Sequence, residues 1–342
     1  PPINSYAFYQ IAMRVPGEGA AFFENHTTGK RLAPISTYIA VTHKCMYRCW
    51  HCSASGFMEN SNKDMTTEQF LTVVKKIREL GVGIIGFTGG EPLLRKDLEQ
   101  AISLASAHTS SMQSMTLVFT TGFGLDLERA QSLKQAGLFG IAISLDSVNS
   151  KKHDKMRGVE GAFERAIKAI KNAKKAGIYT MCQTVCTRDL LQSGEIYEIA
   201  KYAKSLGIDE MRIMEPIPCG SMQEHSEEVL TKEEQKKLIS IHVEMNENKM
   251  YPKVSVFPYI ESEEQYGCGA GSQHSFIDAD ANFGPCDFLP ISYGNLLSEE
   301  AEVIWNRMHE EMGKPKCSCY AKCKDEQVKL PKYYQLMRGN VK

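Results

Sequence analysis

Between residues 36 and 215 the chain alternates short β-rich runs with amphipathic segments six times, and this alternation constrains the fold more than any other feature of its 342 residues. Residues 37–41, 84–87, 117–120, 141–144, 179–185 and 211–214 carry enough β-branched, aromatic and aliphatic side chains to form strands. After the first of them Phe70, Val73, Val74, Ile77 and Leu80 recur at helical spacing, with Thr66 and Gln69 set as a capping box. Phe163, Ala166, Ile167 and Ile170 mark another helix face, which Gly177 terminates. Thr231 with Glu234 opens a helix that runs to about Asn248. Strands separated by helices pair in parallel, because each crossover returns the chain to the same end of the sheet. The prediction is an α/β fold, a parallel sheet curved into a partial (β/α)6 barrel over residues 36–250. An N-terminal arm, residues 1–35, precedes it, and after Pro252 the repeat stops and a small cysteine-rich extension, residues 251–342, follows.

Charge and composition narrow the function. With 40 Lys+Arg against 41 Asp+Glu the net charge is −1, which gives no positive field for nucleic acid. No apolar run approaches the ~20 residues of a membrane helix. The opening Pro1-Pro2-Ile3-Asn4 has no charged segment leading into an apolar one, so no export signal is expected. Eleven cysteines, an odd number in a chain of this size, argue against a disulfide framework and for metal or redox chemistry in a reducing, cytoplasmic compartment. Cys45, Cys49 and Cys52 stand in C-x3-C-x2-C spacing just after the first strand. Structural zinc takes four ligands, commonly paired as C-x2-C, and fits this spacing poorly. Three thiolates on one short loop can instead hold three irons of a 4Fe–4S cluster, leaving the fourth iron open. His51 is an alternative fourth ligand, although its adjacency to Cys52 makes simultaneous ligation awkward. Gly89-Gly90-Glu91 follows the second strand, so both segments fall at the C-terminal ends of strands, where βα barrels build their sites. The glycines allow backbone to approach a ligand closely, and the carboxylate of Glu91 can accept hydrogen bonds from a ligand ammonium.

These segments resemble the signatures of the radical S-adenosylmethionine (SAM) superfamily. The cysteine loop is similar to its C-x3-C-x-aromatic-C pattern, with His51 in the place of the aromatic residue that in the family lies against adenine. Gly89-Gly90-Glu91-Pro92 resembles its GGE motif, and Ser144-Leu145-Asp146 its S-x-D segment near the SAM ribose and carboxylate. Thr121 stands where members often have Asn, and Arg157, in a stretch also seen in these enzymes, is read as a loop organiser. Cys268, a hairpin with a polar turn over 277–286, Tyr293-Gly294-Asn295-Leu296, a helix around Trp305, and Cys317, Cys319 and Cys323 resemble in order the SPASM and shortened twitch extensions, which carry auxiliary Fe–S clusters. Five cysteines replace the seven of a full SPASM module, and Ala281 replaces the usual turn glycine. The resemblance covers about residues 36–325.

It implies a 4Fe–4S cluster on Cys45, Cys49 and Cys52, and SAM held near His51, Gly89, Gly90, Glu91, Pro92, Ser144 and Asp146. It also implies one auxiliary cluster on Cys268, Cys286 and two of Cys317, Cys319 and Cys323, with structural zinc as the rival. The chemistry implied is reductive cleavage of SAM to a 5′-deoxyadenosyl radical that takes hydrogen from a C–H bond. The expected substrate is a biosynthetic small molecule, oxidised or rearranged. Maturation of a ribosomally made peptide is the alternative, although no separate leader-peptide domain is evident in the ~35 residues before the first strand. A noncatalytic Fe–S or zinc-binding regulator is the reading from another class. A flavodoxin or ferredoxin-type reductant is the implied partner. Cys182 and Cys186, an even number apart on one strand, read as small core hydrophobes, whereas Cys219, just past the sixth strand, reads as packing or as a catalytic donor of a hydrogen atom or proton.

Overall fold

The computed structural model describes residues 32–55, 64–107, 113–262, 265, 267–313 and 319–322, with the backbone of 335–336. The strands are β1 (Ser36–Ala40), β2 (Ile84–Thr88), β3 (Met115–Thr120), β4 (Gly140–Ser144), β5 (Tyr179–Val185), β6 (Glu210–Met214), β7 (Lys253–Val256), β8 (His274–Ile277), β9 (Phe283–Gly284), β10 (Ile291–Ser292) and β11 (Gln335–Leu336). The helices are α1 (Thr67–Leu80), α2 (Leu98–Ser106), α3 (Leu127–Gln135), α4 (Ser150–Arg157), α5 (Ala162–Lys175), α6 (Arg188–Ser193), α7 (Glu195–Ser205), α8 (Lys232–Glu247), α9 (Phe257–Ile260) and α10 (Ala301–Met312).

Nine strands form one sheet in the order β7-β6-β5-β4-β3-β2-β1-β8-β9. Every pair in it is parallel except β8–β9. The six predicted strands are all present, and the two capping boxes form as read: Thr66 with Gln69 on α1, and Thr231 with Glu234 on α8. Each such cap contributes on the order of 1 kcal/mol. The repeat does not stop at residue 250, however. β7 adds a seventh parallel strand against β6, since α8 is a crossover like the others. The polar-turn hairpin also joins this sheet, with β8 pairing with the free edge of β1 in register Ser36↔His274. The sequence reading missed β7, whose four residues are too few for the alternation to declare itself, and it placed the hairpin without the pairing of β8 to β1.

Strand alternation sorts side chains onto two faces. The outer face (Ile39, Ile85, Phe87, Val118, Ile141, Ile143) is buried against helix residues such as Phe70, Ile77, Leu98, Leu133 and Ile170. Full burial of a single such side chain is worth about 1.5–3 kcal/mol. Cys182 and Cys186 belong to this layer, as small hydrophobes should. The inner face is closed at one level by Ile84, Met115, Leu117, Ala142 and Met181. Tyr38 and Phe119 also point inward and meet with ring centroids 4.8 Å apart. Gly86 makes room for them: a Cβ there would lie 2.5 Å from the Tyr38 ring and 2.9 Å from that of Phe119.

Candidate active site

The cysteine loop leaves the C-terminal end of β1 and is held by its neighbours' backbones. Gly90 N–H donates to the Thr42 carbonyl (2.8 Å) and Glu91 N–H to that of Lys44 (2.8 Å). A Cβ on Gly89 would lie 2.4 Å from the Thr42 oxygen, and one on Gly90 2.1 Å from the Lys44 oxygen. The glycines thus allow close approach of their backbone to that of the cysteine loop. Glu91 differs from its reading. Its carboxylate is fully buried and accepts from Thr120 Oγ1 (2.6 Å), Leu93 N (3.1 Å), Thr121 N (2.8 Å) and Thr121 Oγ1 (2.6 Å). Four donors fill the roughly four lone-pair positions of a carboxylate, so no place remains for a ligand ammonium. Burial raises the Glu91 pKa, and these hydrogen bonds oppose the rise. Pro92 opens the short 3-10 turn that follows, and Thr121, assigned no role from sequence, is the residue that grips Glu91 twice.

The far side of the loop rests on the end of α4. Arg48 N–H donates to the Arg157 carbonyl (3.2 Å) and Trp50 N–H to that of Met156 (3.3 Å). Gly158 ends that helix in the left-handed region (φ 66°), where a Cβ would lie 2.3 Å from the Arg48 oxygen. Arg157 does more than organise the loop. Its buried guanidinium pairs with Asp146 Oδ2 (2.6 Å) and reaches Cys49 Sγ (3.8 Å), putting a fixed positive charge beside that thiol. Asp146 is consequently committed to Arg157 and, through Oδ1, to the Val185 N–H (3.2 Å). A wholly buried carboxylate needs such pairing. Ser144, at the end of β4, is half-buried on the inner face with Ala142. Cys45 is pushed up to about 11 by burial, with further rises from Glu91 and the other two thiols. The three thiols therefore sit close enough to sense one another's charge, and metal binding to them would release protons. His51 is buried with neither ring nitrogen hydrogen-bonded, and burial lowers its pKa to about 4. Its Nε2 lies 3.8 Å from Asp146 Oδ2.

A second thiol centre flanks β8 and β9. Cys268 and Cys319 are hydrogen-bonded to each other, which draws the Cys268 thiol down to about 6 and raises that of Cys319. Cys286 lies beside them and shares a pocket of potential ligands with His274 and Asp287, whose donor atoms fall within 4.8 Å of one another. Cys317 and Cys323 lie outside the described residues, as does the arm through residue 31. Ala281 occupies the hairpin turn at φ 68°, the left-handed conformation for which glycine is suited.

Between the two thiol centres the barrel is hollow. A cavity of about 710 Å³, open to solvent, is walled by His51, Phe119, Arg212 and Cys219. A second of about 970 Å³ reaches Cys286 and His274, and both share Tyr38, Arg212, Met214, Asp287 and Phe288. Cys219 is buried, its thiol pKa raised by that burial. Its loop leans on the cysteine loop, where Ser221 N–H donates to the Cys52 carbonyl (3.0 Å). Sequence reasoning passed over Arg212. The available signal was Glu210, Arg212 and Met214 at alternate positions of β6, opposite the buried Met211 and Ile213.

The fold is thus a parallel barrel with three thiols at one strand end and a hollow, open to solvent, beside them. The model of the radical SAM superfamily matches residues 39–206. AdoMet-dependent heme synthase of Oleidesulfovibrio alaskensis is 26% identical over 289 residues, 78% of this chain and 73% of that protein. PqqA peptide cyclase of Rhizobium meliloti is 27% identical over 289 residues, 82% and 75% of the two chains. The crystal structure of anSMEcpe with bound AdoMet superposes with a TM-score of 0.65 at 18% identity, covering 81% of this chain and 82% of that one, a likeness of fold. The chain belongs to the radical SAM superfamily, whose members use a 4Fe–4S cluster and SAM. Among the described residues no helix is long and apolar enough to cross a membrane.

Proposed function

We propose that this chain is a radical SAM enzyme acting on a biosynthetic small molecule by oxidation or rearrangement, with Cys45, Cys49 and Cys52 as ligands of the SAM-binding cluster. Supporting this is one arrangement: three mutually sensing thiols beside a buried imidazole with two unpartnered nitrogens, at the wall of a hollow that ends at a second thiol centre. Cluster and cosubstrate together supply, on one-electron reduction, a 5′-deoxyadenosyl radical able to take hydrogen from an unactivated C–H bond. The rest falls to the protein. Arg157 steadies the Cys49 thiolate; Gly89, Gly90, Glu91 and Pro92 hold the loop's backbone in place; Asp146 fixes Arg157; His51 and Ser144 border the space for SAM. Cys219, kept protonated by burial at the cavity wall, suits donation of a hydrogen atom to a product radical.

Cys268, Cys286 and Cys319 are a fitting donor set for an auxiliary Fe–S cluster in a twitch-like extension over residues 251–342. A concave hollow of mixed polar and apolar lining suits a small ligand, and the match to a heme synthase favours that class. The match to a peptide cyclase favours the second reading, a peptide substrate entering from the open side of the hollow. Oxygen-sensitive clusters agree with a cytoplasmic setting and a flavodoxin or ferredoxin-type reductant.

Anaerobic reconstitution followed by iron, sulfide and zinc analysis, and an assay for 5′-deoxyadenosine with SAM and dithionite, tests this. The expected result is about eight irons, two four-iron clusters, with nucleoside formation lost in Cys49→Ala. Zinc in place of iron and no nucleoside would overturn it.

A further inference from the structure

Arg212 lines both cavities, and among the described residues it is the only arginine or lysine that does so. It sits on the inner face of β6, its guanidinium carbon 5.1 Å from the centre of the Phe119 ring. The Tyr38 side chain is its hydrogen-bonding partner. No described carboxylate lies within the 4.0 Å of an ion pair with it, unlike Arg95, which has Asp97, and Arg157, which has Asp146. Of the nearby acids, Glu261 lines the second cavity without forming an ion pair with Arg212, and the others have partners of their own. Glu210 accepts from Ser255 Oγ (2.9 Å) and the Tyr179 hydroxyl (3.1 Å); Glu215 is paired with Lys322 and accepts from Gln235 Nε2 (2.9 Å). Asp287 lies against Cys286 Sγ (3.4 Å) and His274 Nε2 (3.7 Å).

A half-buried guanidinium with no ion-pair partner is short of a counter-charge, and an anionic ligand supplies one. The guanidinium fork matches a carboxylate with two parallel hydrogen bonds. Gln183 of β5 is the register partner of Arg212 and lines the same hollow, adding an amide beside the fork. With Asp287 lining the same hollow, one cation and one amide can balance a single further negative charge at most, which favours a carboxylate over a phosphate dianion. We propose that Arg212 is the anchor for a carboxylate group of the substrate, held between the two thiol centres. This rests on the hollow being the substrate site of the radical enzyme proposed above.

The test uses the reconstituted full chain under anaerobic calorimetry, with glutarate as probe, glutaramide and inorganic phosphate as comparisons, and SAM at saturation. Glutarate should bind the wild type on the order of tenfold more tightly than glutaramide or phosphate. Arg212→Gln should abolish that preference and Arg212→Lys retain part of it, each with wild-type iron content and melting temperature as the check on folding. The proposal is overturned if the wild type does not prefer glutarate or if Arg212→Gln keeps the preference. It is also overturned if glutarate competes with SAM and Arg212→Gln weakens SAM instead, since the guanidinium would then serve the carboxylate of SAM. A wild type that binds glutarate through Arg212 yet forms no 5′-deoxyadenosine refutes the radical reading alone; the converse refutes the anchor alone.

Discussion

Replacing Thr121 by valine tests the claim that Glu91 is a brace rather than a ligand-binding carboxylate. The substitution is nearly isosteric and leaves the Thr121 N–H bond to Glu91 Oε2 (2.8 Å) in place, removing the hydroxyl bond of 2.6 Å and the longer one (3.4 Å) that Phe123 N–H donates to the Thr121 hydroxyl oxygen. A hydrogen bond to a charged group contributes about 1.5–3 kcal/mol, and the buried oxygen finds no water to replace it. A loss of about 2 kcal/mol should lower the melting temperature by roughly 3 °C in a chain of this size. The assay is circular dichroism of the cluster-free protein at a fixed scan rate, run beside Glu91→Gln and the double variant. The glutamine amide must turn its NH2 toward at least one donor, so Glu91→Gln should cost more than Thr121→Val. In that background the valine change should cost well under half of its single-variant value. Thr121→Val melting within about 1 °C of the wild type, or strict additivity in the double variant, would refute the brace.

Acid should destabilise the fold through its buried imidazoles. His51 and His153 are both lowered by burial to about 4, so between pH 6.5 and 4 the unfolded chain binds more protons and stability falls as pH falls. Urea midpoints of the cluster-free protein should decline across that window, and His51→Phe should remove a large part of the slope. Gly90→Ala, whose Cβ would meet the Lys44 oxygen at 2.1 Å, should displace the cysteine loop and cost about four irons per chain on reconstitution. Gly124→Ala, with no atom within 4 Å but φ 74°, should cost only about 1–2 kcal/mol of stability and leave the iron in place. At Ala281 (φ 68°) the strain relieved by glycine, about 1–2 kcal/mol, is offset by the lost buried methyl and the freer unfolded chain. Ala281→Gly should therefore leave the urea midpoint nearly unchanged, and Ala281→Val should lower it sharply.

The barrel was legible because alternation of apolar runs and caps is a local property. Residues 179–185 match β5 throughout, and Thr66 and Thr231 cap where their side chains say they should. The thiol loop was legible from spacing alone. What escaped was the direction in which groups face across the fold. Gly89, Gly90 and Glu91 look ligand-directed in sequence, which does not show that the glycines also lie against Thr42 and Lys44 or that Glu91 turns toward Thr121, partners 30 or more positions away. Asp146 likewise finds a cation that no pattern ties to it, and Arg212 shows its meaning only beside Phe119 of another strand. The short β7 and the pairing of β8 with β1 were invisible because long-range pairing, not composition, places them in the sheet.

The pairing of β1 with β8 also sets an order of events during synthesis. Thr37 Oγ1 meets Ser275 Oγ, and Ser36 Oγ meets His274 Nδ1, across a separation of 238 residues. At about 5–20 residues per second the edge of β1 waits roughly 10–50 s on the ribosome for its partner. Until then it is an open template for mispairing. Because Cys268 and Cys286 bracket β8 and β9, the event that covers this edge also gathers the second set of thiols. A chain interrupted before residue 274 would therefore be exposed at its first strand, far in sequence from the segment that was never made.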